Sequence, residues 1–137
     1  PEIYNLFSNI KLVQDDTINE AVVASVEGEG TQATTTVRFR GQDMRPYIRF
    51  LLAKELYKHL CRTRHAIAIK HADAPSEILD IQANIFAGAL LVPGKMFRKE
   101  VERIDSSIDL IAQLAETFWI SKSLMNQRLR DYMENLN

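Results

Sequence analysis

What the chain lacks narrows its class before any motif is read. It holds a single cysteine, Cys61, so no internal disulfide can form and the cross-linked secreted miniature folds are excluded. Five glycines and four prolines are too few for a collagen-like or low-complexity chain. No apolar run approaches the ~18 residues of a membrane-spanning helix, and no basic-then-apolar leader opens the sequence. A reducing, cytoplasmic location with no membrane association is therefore expected, with Pro1 as the residue left after removal of an initiator methionine. Neither sign of charge dominates: 17 basic and 18 acidic residues give a net charge of −1, short of the basic excess expected of a non-specific nucleic-acid binder.

What is present is the composition of an ordinary packed protein. The 137 residues are 46% hydrophobic and 26% charged, which suits one domain over 1–137. Charge is unevenly placed. Residues 36–72 carry two acids and nine bases, so this middle third suits an acidic protein partner or phosphates.

Hydrophobic spacing predicts an α+β fold with strands early and helices late. Ile3, Leu6, Phe7 and Ile10 recur at three or four residues, predicting an N-terminal helix within 1–16. Alternation over 18–26 and 34–40, joined by Glu27-Gly28-Glu29-Gly30, predicts a two-stranded antiparallel ribbon over 18–40. On its second strand Arg38 and Arg40 alternate with Val37 and Phe39, giving one strongly positive face. Asp43 is the expected N-cap of a helix over 46–62, marked by Ile48, Leu52, Leu56 and Leu60. A short strand is expected over 66–69, then a helix over 77–92 capped by Ser76 and ended by Pro93-Gly94. Three short helices, 95–103, 106–116 and 121–134, complete a C-terminal cluster, with Ser107 and Ser121 as caps.

On periodicity alone, Lys54, Glu55, Lys58, His59 and Arg62 are the solvated stripe of an amphipathic helix. Three segments together say more. They read RFLLAKELYKHL (49–60), DIQANIFAGALLVP (80–93) and LAETFWISKSLMNQRL (114–129). In order and spacing they resemble the ImmA/IrrE family of zinc metallopeptidases, whose core reads R-F-x-L-A-H-E-L-x-H, then E-x-x-A-N-x-F-A-x-x-L-L-M-P, then L-A-x-x-F-x-V-S-x-x-x-V-x-x-R-L. The middle segment matches most closely, through Ala83, Asn84, Phe86, Ala87, Leu90, Leu91 and Pro93.

The resemblance implies a zincin-like domain: a small antiparallel sheet packed on the motif helix, with a C-terminal helical cluster. In such enzymes the two histidines of H-E-x-x-H reach one zinc from one helix face, the glutamate between them activates a bound water, and an acid opening the second motif is the third ligand. Carried over, Glu55 stands at the general-base position and Asp80 at the third ligand, but Lys54 and Lys58 occupy the histidine positions. An ammonium has no lone pair, so zinc is expected to be absent, and the catalytic role of Glu55 with it. The two lysines keep a positive charge near that of the metal, and an ion-pair cluster with Glu55, Asp80 and Glu77 is expected in a cleft also lined by Asn84 and His59. His59, Cys61, His65 and His71 are the only imidazole or thiol donors, at spacings of no zinc motif, and Cys61 is expected in the core.

The third segment has the cadence of a helix-turn-helix, with Lys122, Asn126, Gln127, Arg128 and Arg130 on its second helix. Glu116, Asp131 and Glu134 surround those bases and oppose phosphates, so Phe118, Trp119, Leu124 and Leu129 are read as packing residues. Active members of the resembled family act on transcriptional repressors, often of mobile elements. The expected function is therefore a non-catalytic regulatory domain binding such a protein, through the cleft and an edge strand at 34–40 bearing Arg38 and Arg40. The alternatives are an active metallopeptidase with unconventional ligands and a helix-turn-helix regulator of DNA.

Overall fold

The computed structural model describes residues 2–104 and 109–135; the expected cap Ser107, and the start of the helix expected at 106, lie outside them. The chain forms two compact units, Pro1–Ala87 and Gly88–Asn137.

The first unit holds a three-stranded sheet with a long helix against it. Strand β1 is Ile10–Gln14, β2 is Val22–Glu27 and β3 is Thr34–Phe39, in the spatial order β1-β3-β2. β2 and β3 form the expected antiparallel ribbon, with Ala24 opposite Val37. Gly28 and Gly30 between them take φ of +80° and +62°, which glycine adopts without the cost a Cβ imposes.

β1 is a correction to the sequence reading. The helix expected within 1–16 is only a 3₁₀ turn, Glu2–Leu6, after which Asn9 turns through φ +62° and the chain pairs parallel to β3, Ile10 against Thr35. The three-to-four spacing of Ile3, Leu6, Phe7 and Ile10 misled because Leu6 points outward, 78% exposed. Ile10 and Leu12 instead follow the two-residue period of a strand. The sheet is consequently mixed, and β3 is its centre rather than its edge.

Helix α1, Arg45–Arg62, lies against β2 and β3. It buries Ile48, Leu52, Leu56 and Leu60 as expected, and Ala53, Tyr57, His59 and Cys61 as well, so its buried face is wider than a simple amphipathic stripe. Its N-cap is Met44, which donates no side-chain cap. Asp43 is otherwise engaged, accepting from Arg40 Nε at 2.7 Å and from a second guanidinium nitrogen at 3.2 Å, a two-point pairing stronger than a cap. Tyr4 reaches over from the N-terminal turn and donates its hydroxyl to the Leu52 carbonyl at 2.6 Å.

No strand forms at 66–69. Arg64 turns through φ +52°, and the chain continues as turns and a 3₁₀ helix, Ile69–His71, within a loop that Arg64 and Asp73 join by a 2.7 Å ion pair. Ala68 is buried while Ile67 and Ile69 are exposed, so the alternation is real but has no neighbouring strand. Helix α2, Ser76–Leu91, follows; Ser76 is its first residue rather than its cap, and the Pro75 carbonyl receives the Leu79 amide at 2.8 Å.

The second unit comprises α3 (Gly94–Arg103), α4 (Leu110–Phe118) and α5 (Lys122–Asn135) around Val92, Phe97, Leu114, Ala115, Phe118, Ile120 and Met125. Asp109 caps α4 through the Ala112 amide at 3.1 Å, and Ser121 caps α5 through the Leu124 amide at 3.1 Å. Trp119 closes α4 with φ +54° and is 49% exposed; of the residues read as packing, Phe118, Leu124 and Leu129 join the core and Trp119 does not.

Candidate functional site: a lysine and carboxylate cluster on two helices

One turn of α1 separates Lys54 from Lys58, so both project from the same face. Asp80, in the second turn of α2, meets them there. Lys54 Nζ lies 3.0 Å and Lys58 Nζ 3.5 Å from the same oxygen, Asp80 Oδ1, and Lys58 Nζ is 3.7 Å from Glu55 Oε1. The cluster is graded in exposure. The Lys54 side chain is 14% exposed and that of Asp80 50%, so the ammoniums sit deeper than the carboxylate that binds them. The hydrogen bond from Lys54, with the positive charge of both lysines, holds the Asp80 carboxyl below its ordinary range.

Glu55, paired with Lys58, also acts on two groups outside the cluster. Its charge adds to burial in pushing the Tyr4 phenol upward, and it opposes the downward pull of burial on Arg62. Tyr4 and Arg62 are thus neighbours of the general-base position that the motif did not reveal. Arg62 was legible as the next residue along the stripe, whereas Tyr4 comes from a segment read as a helix.

The other expected site residues divide. Glu77 and Asn84 are exposed on α2, and among the described residues no ion pair joins Glu77 to either lysine. His59 is neither solvated nor in the cleft: it is 1% exposed, with Nδ1 2.8 Å from Thr35 Oγ1 and Nε2 3.0 Å from the Ser8 carbonyl. A carbonyl only accepts, so Nε2 carries the proton, and Nδ1 accepts from Thr35, whose Oγ1 receives Arg62 at 3.3 Å. Burial pulls the imidazole below its ordinary value, in keeping with a neutral ring. Cys61 is buried as expected, and burial raises its thiol.

Arg38 and Arg40 do not form a free positive face. Arg38 lies 3.9 Å from Asp15, and Arg40 binds Asp43 and the Asn19 carbonyl. Nor can a further strand add at 34–39, since both sides of β3 are already paired.

Zinc, which the resemblance implies, is a poor fit to this donor set. Two of the four groups at the position are lysines in place of imidazoles, and both approach Asp80 Oδ1, with Glu55 Oε1 also near Lys58. Among the described residues, no three of His, Cys, Asp and Glu come together in a way that could hold a metal ion. No described helix is long and apolar enough to cross a membrane.

A search of curated proteins finds none that matches the chain. The family model of the IrrE N-terminal-like domain (Peptidase_M78) matches residues 31–130, from just before β3 into α5 and across all three motif segments, and the chain belongs to that family.

Proposed function

We propose that this domain is a non-catalytic member of its family, a pseudopeptidase that binds a protein partner of the repressor or mobile-element class in the cytoplasm and does not cut it. The observation that carries the reading is the convergence of Lys54 and Lys58 on Asp80 Oδ1. Ammonium groups at the two ligand positions supply positive charge without a Lewis acid, so Glu55 has no metal-bound water to deprotonate. What survives such a loss is shape: two motif helices and a sheet edge. Because β3 is central, the edge open to a partner strand beside α1 is β2, whose outer backbone groups are unpaired within the sheet.

The test is metal content combined with restoration. Elemental analysis of the purified protein is expected to find no stoichiometric zinc. The double variant Lys54→His and Lys58→His, which recreates H-E-x-x-H with Asp80 as third ligand, is expected to take up about one zinc per chain. Chelator-sensitive cleavage of a repressor-type substrate by the parent protein, lost in Glu55→Gln, would overturn the reading.

A further inference from the structure

A different concentration of positive charge lies within the second unit. Helices α3 and α5 border a cleft of about 730 Å³, within the range of sites that hold a ligand or a short peptide stretch. Its floor is aromatic. Phe97 is fully buried, and Tyr132 stands edge-on to it with ring centres 5.3 Å apart.

The cleft is lined by four bases, Lys95, Arg98, Lys99 and Arg128, against two acids, Glu102 and Asp131. Lys95 and Lys99 are one turn apart on α3, an arrangement of like charges that costs helix stability when nothing neutralises it. Among the described residues nothing does: Lys95, Arg98 and Lys99 are exposed and form no hydrogen bond or ion pair, although Arg103 on the same helix pairs with Glu100. Arg128 is fixed in place by its 2.9 Å bond to the Val92 carbonyl, and its Nε is buried without a partner.

We propose that the α3–α5 cleft is a docking site for an acidic peptide segment of a partner protein. Charge complementarity selects the occupant. Carboxylates on the segment neutralise Lys95, Lys99 and Arg98, while an apolar side chain between them covers Tyr132. A nucleic-acid backbone suits the cleft less well, because it carries a charge at every nucleotide and must pass Glu102 and Asp131. A peptide places its charges singly and has backbone N–H groups to offer those two acids. The site shares no residue with the Lys54–Asp80 cluster, so its occupancy stands or falls separately from the pseudopeptidase reading.

The test uses the full chain and a fluorescein-labelled peptide, Glu-Asp-Leu-Glu-Glu-Leu-Asp-Glu, with its Gln/Asn counterpart as control. Fluorescence anisotropy is expected to show saturable, salt-weakened binding of the acidic peptide only. Affinity is expected to fall about tenfold or more in the double variant Lys95→Glu and Lys99→Glu, and to be unchanged in Lys11→Gln, at an exposed lysine of β1. Arg98→Gln, a milder change at another exposed position, is expected to weaken binding several-fold, with circular dichroism showing the fold intact. The proposal is overturned if the acidic peptide does not bind, if the neutral peptide binds equally, if the Lys95 and Lys99 exchanges change nothing, or if a short DNA duplex displaces the peptide at lower concentration than unlabelled peptide does.

Discussion

Two residues show how exposure and burial reverse the expectations drawn from charge alone. Asp80 anchors both lysines, yet its side chain is half exposed, so the pairing is worth far less than a buried one. Asp80→Asn is expected to cost about 1 kcal/mol or less in urea unfolding; a loss of several kcal/mol would mean that Lys54 is stranded in a much drier site. His59, by contrast, is expected on the solvated stripe by its spacing and in the cleft by the resemblance, and is part of the core. Removing it leaves the Thr35 hydroxyl and the Ser8 carbonyl without their partner, and His59→Ala is expected to cost about 2–4 kcal/mol. Its folded imidazole titrates below the ordinary value of about 6.5, so the neutral ring favours the folded state. That stability is complete above the unfolded value and declines as pH falls from there through the folded one. Unfolding free energy is therefore expected to drop between about pH 7.5 and pH 5, and by less in His59→Gln. An equal drop in both would remove His59 as the cause.

Elements were legible where their signals are local. Ser121 was readable as a cap because serine accepts an amide three residues on without help from the rest of the chain, and the structure shows it doing so. Asp109 does the same for α4. Ser121→Ala and Asp109→Ala are each expected to cost about 1 kcal/mol in thermal or urea unfolding, and a change under a few tenths would show that these helices are held by the Phe97–Met125 core alone. Asp43 was misread because its competitor, Arg40, is held in place by the end of a strand, which no cap pattern records. The supposed strand at 66–69 had the right alternation, but a strand needs a neighbour, and sequence does not say where neighbours are. The two motif helices were readable to within a residue or two, and with them the shared face of Lys54 and Lys58, because that spacing lies within one helix; that Asp80 of the second helix meets them is a contact between helices, which only the family resemblance implied.

At the scale of the whole chain, the order of the strands was the part sequence could not supply. It rests on pairing Ile10 with Thr35, a contact that no local pattern encodes. The same fact closes both sides of β3 to a further strand, leaving β1 and β2 as the edges of the sheet, and it brings Asp15, which follows β1, to within 3.9 Å of Arg38. The parallel β1–β3 pairing also bears on time. The β2–β3 ribbon closes a short connection and can form early, whereas β1 must wait for a longer loop to close before any of its contacts is gained. The Ser8 bond to His59 and the Tyr4 bond to Leu52 belong to that same late step. In pulse-labelled refolding, amides of β2 and β3 are therefore expected to gain protection before those of β1, with simultaneous protection counting against this order. Residues 2–14 then act as a clasp, closing on the β2–β3 ribbon and the motif helix only once both are built.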